Sequence, residues 1–209
     1  MDSASGRQCI VRRSPRAQAS DLYRYGQAVF EPHDIVELRL LGKGNPIKLW
    51  RAAQELPTMY EELLRYNRQG YNIYAGANPR RARGISGDEG VLLARCLFAD
   101  FDGIPPGDGC GPSEFVLMRI DEAGLPNPTL VISSGHGVHA YWRLFEPVDD
   151  LGRWRQLQER LIAALGSDKS IKNPERIMRL PCFLNVKRKP YTECFIVYMD
   201  VDDDRDQRI

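Results

Sequence analysis

Two aspartates, Asp100 and Asp102, are the first candidates for chemistry in this sequence. They end an apolar segment, VLLARCLFADFD, that has the pattern of a buried strand. Alternate side chains of a strand share a face, so the two carboxylates would point the same way. Such a pair is unfavourable unless a cation neutralises it, and Mg²⁺ prefers oxygen ligands. The pair therefore indicates a metal site, although Asp-x-Asp-Gly is also common at solvated turns and strand ends.

A predicted strand over 129–133 is joined by the turn Ser134-Gly135-His136-Gly137 to a second predicted strand over 138–144. This arrangement is typical of a β-hairpin. The alternation places three functional side chains on one face of this strand: His139, Tyr141 and Arg143. Arginine and histidine donate hydrogen bonds to phosphate oxygens, and glycine lets backbone N–H groups approach an anion closely. This face suits a nucleoside triphosphate. The alternative is a core histidine on an ordinary hairpin.

The third acid candidate, Asp168, follows a predicted amphipathic helix and precedes a basic segment. A turn or helix-capping role is its natural alternative. Between Asp168 and Lys189 there are seven basic and two acidic residues. The basic residues are Lys169, Lys172, Arg176, Arg179, Lys187, Arg188 and Lys189. Basic runs are often only solvated surface, but this one lies next to a candidate acid and could bind phosphate groups.

The elements that would position these residues fall into two lobes. In the first lobe we predict a strand over 34–41, a helix over 47–67 with a break at Pro57, and a strand over 71–77. In the second we predict the order β-α-β-β-α-β, which is a ferredoxin-like or RRM-like plan. Its elements are strands over 91–102, 129–133, 138–144 and 195–201, and helices over 113–123 and 151–165.

We therefore expect an α+β fold with an active site in the cleft between an αβ lobe at 34–90 and an RRM-like catalytic lobe at 91–200. Residues 1–33 would be an N-terminal extension and 201–209 an acidic tail. Asp150, next to Asp149, is a candidate cap for the helix that begins near Leu151.

Composition excludes several classes of protein. Of the 209 residues, 43% are hydrophobic and 27% are charged, which is typical of a globular domain. No apolar run approaches the roughly 20 residues of a membrane helix, and no signal peptide is evident, so we expect a cytoplasmic protein. The five cysteines lack CxxC spacing, so we predict no zinc site. A net charge of only +1 does not exclude nucleic acid, because the basic segment could form a local groove.

Four sequence blocks, taken together, resemble the archaeo-eukaryotic primase superfamily, in particular the RepB-like primases and primase-polymerases of plasmids, phages and mobile elements. The blocks are Phe98–Asp102, Ser134–Arg143, Arg176–Lys187 and Tyr74–Arg80, the last of which ends in Asn78-Pro79-Arg80. Two positions depart from the usual pattern: Cys182 stands where relatives have Gly after Leu-Pro, and Gly137 stands where many have Ser.

The resemblance implies a template-directed DNA primase and polymerase that transfers a nucleotide from an NTP or dNTP to a 3′-hydroxyl and releases pyrophosphate. It implies that Asp100, Asp102 and Asp168 hold two divalent metal ions, Mg²⁺ or Mn²⁺. His139 would contact the triphosphate, with Ser134, Gly135, Gly137, Arg143, Arg176 and Arg179 as further nucleotide-binding candidates. Arg80, Asn185 and Lys187 would contact DNA.

The implied partners are a single-stranded DNA template and, in a longer replication protein, a helicase or an accessory helical domain. Two other functions stay open from the residues. A metal-dependent nuclease also uses carboxylates with a histidine, and a non-catalytic module could bind single-stranded nucleic acid on an RRM-like sheet.

Overall fold

The computed structural model describes residues 15–104 and 111–200. The predicted acidic tail, the first fourteen residues and most of the Gly/Pro-rich loop at 103–112 lie outside these ranges. The first described element is helix α1 (Pro15–Val29), which lies in the segment predicted to be an N-terminal extension. Leu22, Tyr25 and Val29 of α1 are fully buried. Their spacing of three and four residues is typical of a helix with one apolar face.

The first sheet has four antiparallel strands in the order β2-β1-β3-β7. The strands are β1 (Ile35–Leu41), β2 (Ile47–Ala52), β3 (Asn72–Gly76) and β7 (Ile177–Arg179). Strands β1 and β3 confirm the predictions over 34–41 and 71–77. Strand β7 lies about 100 residues after β3 in the sequence. The chain therefore forms most of the second sheet before it adds the fourth strand to the first sheet.

The predicted helix over 47–67 is wrong in its first part. Residues Ile47–Ala52 form β2 and pair with β1 along its whole length. A 3₁₀ helix, Ala53–Met59, follows and contains Pro57, and the α-helix α2 spans only Tyr60–Arg68. A short apolar run does not by itself distinguish a strand from a helix, and here pairing with β1 determines the outcome.

The second sheet has the order β10-β5-β6-β4. Its elements are β4 (Ala94–Asp102), α3 (Pro112–Glu122), β5 (Leu130–Ser133), β6 (Gly137–Val148), α4 (Leu151–Leu165) and β10 (Phe195–Met199). This confirms the predicted β-α-β-β-α-β sequence of elements. Because β10 pairs with β5, strand β4 lies at one edge of the sheet.

Alternation along β4 and β6 divides the interior into two cores. Ala99, Phe101, Val138 and Ala140 face α3 and α4, where they pack with Val116 and Leu161. Residues on the opposite face, such as Phe98 and Tyr141, join a larger core with α1 and the first sheet. Strands β4 and β6, which carry the candidate catalytic residues, are therefore buried on both faces.

Side chains of helix α4 form hydrogen bonds with backbone groups along the edge of β4 that pairs with no other strand of the sheet. Gln158 exchanges hydrogen bonds with both the N–H (3.2 Å) and the carbonyl (2.6 Å) of Phe98, and Trp154 donates to the carbonyl of Cys96 at 2.9 Å. Asp150 caps the helix by accepting from the N–H groups of Gly152 and Arg153, as predicted. Side chains from a helix thus replace a missing strand.

The remaining element is a small hairpin of β8 (Leu184–Asn185) and β9 (Thr192–Glu193). Before it, Cys182 has φ 79°, the left-handed conformation that glycine adopts most easily. This explains why glycine is usual there in the family that the sequence resembles. Among the described helices, none is long and apolar enough to cross a membrane.

Candidate active site

Asp100 and Asp102 lie at the end of β4, opposite the start of β6. Asp100 pairs with His139 and Asp102 with Gly137 in the strand register. The two aspartates and His139 line one cavity of about 470 Å³. The structure therefore brings together the two features on which the sequence analysis depended, the acid pair and the histidine.

Burial sets the protonation of this group. The side chain of Asp100 is 15% exposed and that of His139 is 5% exposed. Burial, and then the charge of Asp102, raise the pKa of Asp100 to about 7. Burial, and then the charge of Arg179, lower the pKa of His139 to about 3. At neutral pH the imidazole is uncharged, and Asp100 takes up a proton readily unless a cation compensates its charge.

Asp168 is placed beside Asp100 by the backbone. Its N–H donates to the carbonyl of Asp100 at 2.9 Å, on the edge of β4 that α4 leaves free. Its carboxylate accepts hydrogen bonds from the N–H and the hydroxyl of Ser170, both at 2.8 Å, and lies 3.6 Å from Arg176. Burial alone would raise the pKa of Asp168, but Ser170 and Arg176 outweigh it and lower the pKa. Asp168 therefore stays ionised near neutral pH.

Four basic side chains, here called the basic wall, line the same cavity as the acids. They are Arg176, Arg179, Lys187 and Arg188, and the lining also includes Asp168, Tyr74, Ser134, His136 and Asn185. Arg176 and Arg179 come from the β7 segment and the two others follow β8. The first sheet thus carries Arg179, with Arg176 directly before its strand β7, and the second sheet carries Asp100 and Asp102.

Tyr74 is a site residue that the sequence analysis missed. Its ring lies against Arg179, whose guanidinium carbon is 4.9 Å from the ring centroid. Arg179 also donates to Oδ1 of Asn72 at 2.6 Å, so two residues of β3 fix its orientation. The one indication in the sequence is strand alternation, which places Tyr74 on the opposite face of β3 from Ile73 and Ala75. Both of these residues are buried.

The turn between β5 and β6 is tightly packed. A Cβ on Gly137 would lie 2.3 Å from the carbonyl oxygen of Phe101 and 2.8 Å from Oδ1 of Asp102. A Cβ on Gly135 would lie 2.4 Å from Oγ1 of Thr192. Both glycines therefore allow close approach between neighbouring segments. Asn185 is buried and donates to the carbonyl of Ser134 at 3.0 Å, which fastens the β8–β9 hairpin to this turn.

The structure does not bring Arg143 or Arg80 to the cavity. Arg143 shares a face with His139, but four residues along a strand correspond to about 13 Å. Its guanidinium donates to the carbonyls of Gln27 and Phe30, both at 3.0 Å, and pairs with Glu31 at the end of α1. Arg80 is fully buried and pairs with Glu37 at 2.7 Å. Both arginines hold elements together, because the terminal nitrogens of their guanidinium groups contact groups of the protein.

The donor set fits a hard cation only in part. Oδ1 of Asp100 is buried and has no hydrogen-bond partner among the described residues, which is unfavourable unless a ligand binds it. Asp102 lies beside it on the same face. Asp168 instead directs both carboxylate oxygens to Ser170. Within 15–104 and 111–200, no three His, Cys, Asp or Glu side chains are grouped closely enough to hold an ion. Asp100 and Asp102 thus fit a metal, and the third ligand is not assembled.

The sequence matches no known family model and no curated protein. Solved structures, however, share the fold. The AEP (archaeo-eukaryotic primase) domain of the cyanophage S-2L primase-polymerase superposes with a TM-score of 0.65, at 21% identity over 87% of this chain and 91% of that one. The fold is that of an archaeo-eukaryotic primase domain.

Primase RepB′ gives the same result. Its structure superposes with a TM-score of 0.64 and 17% identity over 87% of this chain and 56% of its own. Its catalytic domain, solved in complex with initiator DNA, gives 0.63 and 18% identity over 87% and 85%. The fold shared with these structures therefore covers most of the chain.

Proposed function

We propose that this chain is the catalytic domain of a DNA primase-polymerase, which transfers nucleotides from NTPs or dNTPs to a 3′-hydroxyl and releases pyrophosphate. One observation carries the proposal: the cavity joins the Asp100–Asp102 pair to a wall of four cations. Acids and bases lining one cavity suit a triphosphate whose charge is shared between metal ions and basic side chains. The primase fold supports the same function.

In this proposal the basic wall binds the substrate's phosphates. Arg176 and Arg179 present planar guanidinium groups, which can each donate two parallel hydrogen bonds to phosphate oxygens. His139 is neutral and buried, so it acts as a hydrogen-bond donor and not as a cation. Ser134 and His136 line the cavity on the side of the turn, and Gly135 and Gly137 of the same turn are further candidates for phosphate contact.

Asp100 and Asp102 would hold two Mg²⁺ or Mn²⁺ ions, and we propose Asp168 as the third ligand. Such ions, when bound, activate the attacking oxygen and stabilise the leaving oxygen. The part of the protein is to hold the two carboxylates on one face of a rigid strand. Asp168 would exchange its hydrogen bonds with Ser170 for this role.

The same proposal gives the chain a single-stranded DNA template as its partner, with Lys187 among the residues that contact phosphate. The proposal also includes a helicase or accessory helical domain in a longer replication protein, and a cytoplasmic location. Asn185 would contribute by anchoring the β8–β9 hairpin, since its amide is already bonded to Ser134.

Primer extension on a single-stranded DNA template tests the proposal. With Mn²⁺ or Mg²⁺ and each nucleotide set, the wild type should extend a labelled primer, and Asp100→Asn should reduce the rate at least 100-fold. Asp121→Asn, at an exposed position on α3, is the matched control and should extend normally. Equal extension by wild type and Asp100→Asn would overturn the assignment.

A parallel incubation of labelled DNA without nucleotides separates polymerase from nuclease. The proposal predicts intact DNA under these conditions. Shortened products that depend on Asp100 would identify a metal-dependent nuclease in the same fold.

A further inference from the structure

The tip of the β8–β9 hairpin is an exposed basic segment beside the cavity. Its five consecutive residues, Lys187, Arg188, Lys189, Pro190 and Tyr191, are all exposed. Lys187 and Arg188 still line the cavity, whereas Lys189 and Tyr191 lie beyond that lining. The charge of Arg188 lowers the pKa of His136, after the larger effect of burial, which places it near the mouth of the site. The tip therefore extends the basic wall outward.

The base of the hairpin is rigidly attached to both sheets. Asn185 is bonded to the β5–β6 turn, and the N–H of Val186 donates to Oδ1 of Asn72 at 2.9 Å. Asn67 holds Leu184 through both its amide oxygen and its amide nitrogen, at 2.9 and 2.8 Å. A tip on such a base keeps a defined position relative to the cavity.

The cations of the tip are not neutralised within the part of the chain that the structure describes. None of Lys187, Arg188 and Lys189 forms an ion pair there, whereas Arg176 lies 3.6 Å from Asp168. Tyr191 is 46% exposed, and the ammonium of Lys189 lies 6.0 Å from its ring centroid. An exposed aromatic ring among unpaired cations combines the two features that bind single strands, a stacking surface and phosphate contacts.

We propose that this hairpin tip is a binding site for single-stranded DNA at the mouth of the cavity. An unpaired base stacks on Tyr191, and Lys187, Arg188 and Lys189 contact the neighbouring phosphates. This inference rests on the proposed function, and it adds a surface and a stacking residue at the mouth of the catalytic cavity. Single-stranded DNA fits better than duplex, because a base stacks on a ring only when its face is accessible.

Binding of a fluorescein-labelled oligonucleotide tests the stack directly. The titration uses single-stranded oligo-dT with EDTA and without nucleotides, so it does not depend on catalysis. Tyr191→Ala should weaken binding about 5- to 100-fold, the range for loss of one base–aromatic stack. Tyr191→Trp should retain binding. Tyr23→Ala removes a tyrosine that is 50% exposed on α1 and should bind like wild type.

Two further measurements separate stacking from charge. With an oligonucleotide whose sugars lack bases, wild type and Tyr191→Ala should bind equally. Lys189→Ala should reduce the salt dependence of binding by about one released counterion, whereas Tyr191→Ala should leave it unchanged. Wild-type affinity for Tyr191→Ala on oligo-dT, or an equal loss on abasic DNA, would overturn the proposed stack.

The two proposals fail separately. If Asp100→Asn extends primers but Tyr191→Ala loses oligo-dT binding, the proposed catalytic function is wrong and the binding surface stands. If the catalytic variants behave as expected and the tip variants bind normally, the tip is only solvated surface.

Discussion

Nε2 of His139 lies 3.5 Å from Oδ1 of Asp100, across two strands that pair residue for residue. Burial shifts the two pKa values in opposite directions, that of Asp100 up to about 7 and that of His139 down to about 3. Without a cation, and between about pH 3 and pH 7, the pair is therefore most stable as a neutral imidazole beside a protonated carboxyl. The first prediction follows from the cost of ionising Asp100.

Asp100→Asn should stabilise the protein at neutral pH. Between about pH 4 and pH 7 the folded protein keeps the Asp100 proton and the unfolded chain has lost it, so wild-type stability falls as pH rises through this window. The variant lacks this decline and should gain on the order of 2–4 kcal/mol above pH 7. Urea unfolding in EDTA at pH 4 to 8 measures it. Parallel stability curves for the two proteins would show that Asp100 is not destabilised by ionisation.

Divalent ions should offset that difference. At pH 8, Mn²⁺ should stabilise the wild type by about 2.7 kcal/mol when its concentration is 100 times the dissociation constant. Asp100→Asn should gain little, and Asp121→Asn should gain as much as wild type. Thermal unfolding with and without Mn²⁺ gives the result. An equal gain in Asp100→Asn would place the metal elsewhere.

Gly137→Ala should lower both stability and activity. The new Cβ would meet the backbone oxygen of Phe101 and a carboxylate oxygen of Asp102, so the β4–β6 pairing must shift at a cost of about 1–3 kcal/mol. Gly124→Ala is the control: its φ of +63° makes alanine unfavourable by about 1 kcal/mol, with no atom nearby. Unfolding and primer extension should show that only Gly137→Ala impairs extension beyond its loss of stability.

Arg143 and Arg179 should have different functions. Arg143→Ala removes the contacts to the end of α1 and should cost about 1–3 kcal/mol of stability, with an unchanged KM for nucleotides. Arg179→Ala removes a cation from the cavity and should raise KM about 10-fold or more. A raised KM in Arg143→Ala at temperatures where it is folded would return that residue to the nucleotide site.

The local parts of the site could be predicted from the sequence because strand alternation is a local property. The Asp100–Asp102 pair, the glycine turn and His139 all follow from it. Alternation does not show how far along a strand the ligand extends, and for this reason Arg143 was grouped with His139. Tyr74 required knowledge that β7 pairs with β3, and this contact joins residues about 100 positions apart.

Two elements were mistaken or missed for physical reasons. Strand β2 carries Leu49 and Trp50, which fit a helical spacing with residues further along, and only pairing with β1 decides between the two. Helix α1 lies in an Arg-rich N-terminal segment, where the spacing of Leu22, Tyr25 and Val29 was a usable signal. Strand order, such as β10 beside β5, depends on long-range packing that no short motif encodes.

The central claim is that one cavity holds both the metal ions and the triphosphate. A crystal structure with Mn²⁺ and a non-hydrolysable nucleotide tests it most directly. We expect Mn²⁺ density at Asp100 and Asp102, with phosphate oxygens within hydrogen-bond distance of His139, Arg176 or Arg179. Mn²⁺ bound away from Asp100 and Asp102, or a triphosphate bound elsewhere on the protein, would contradict it.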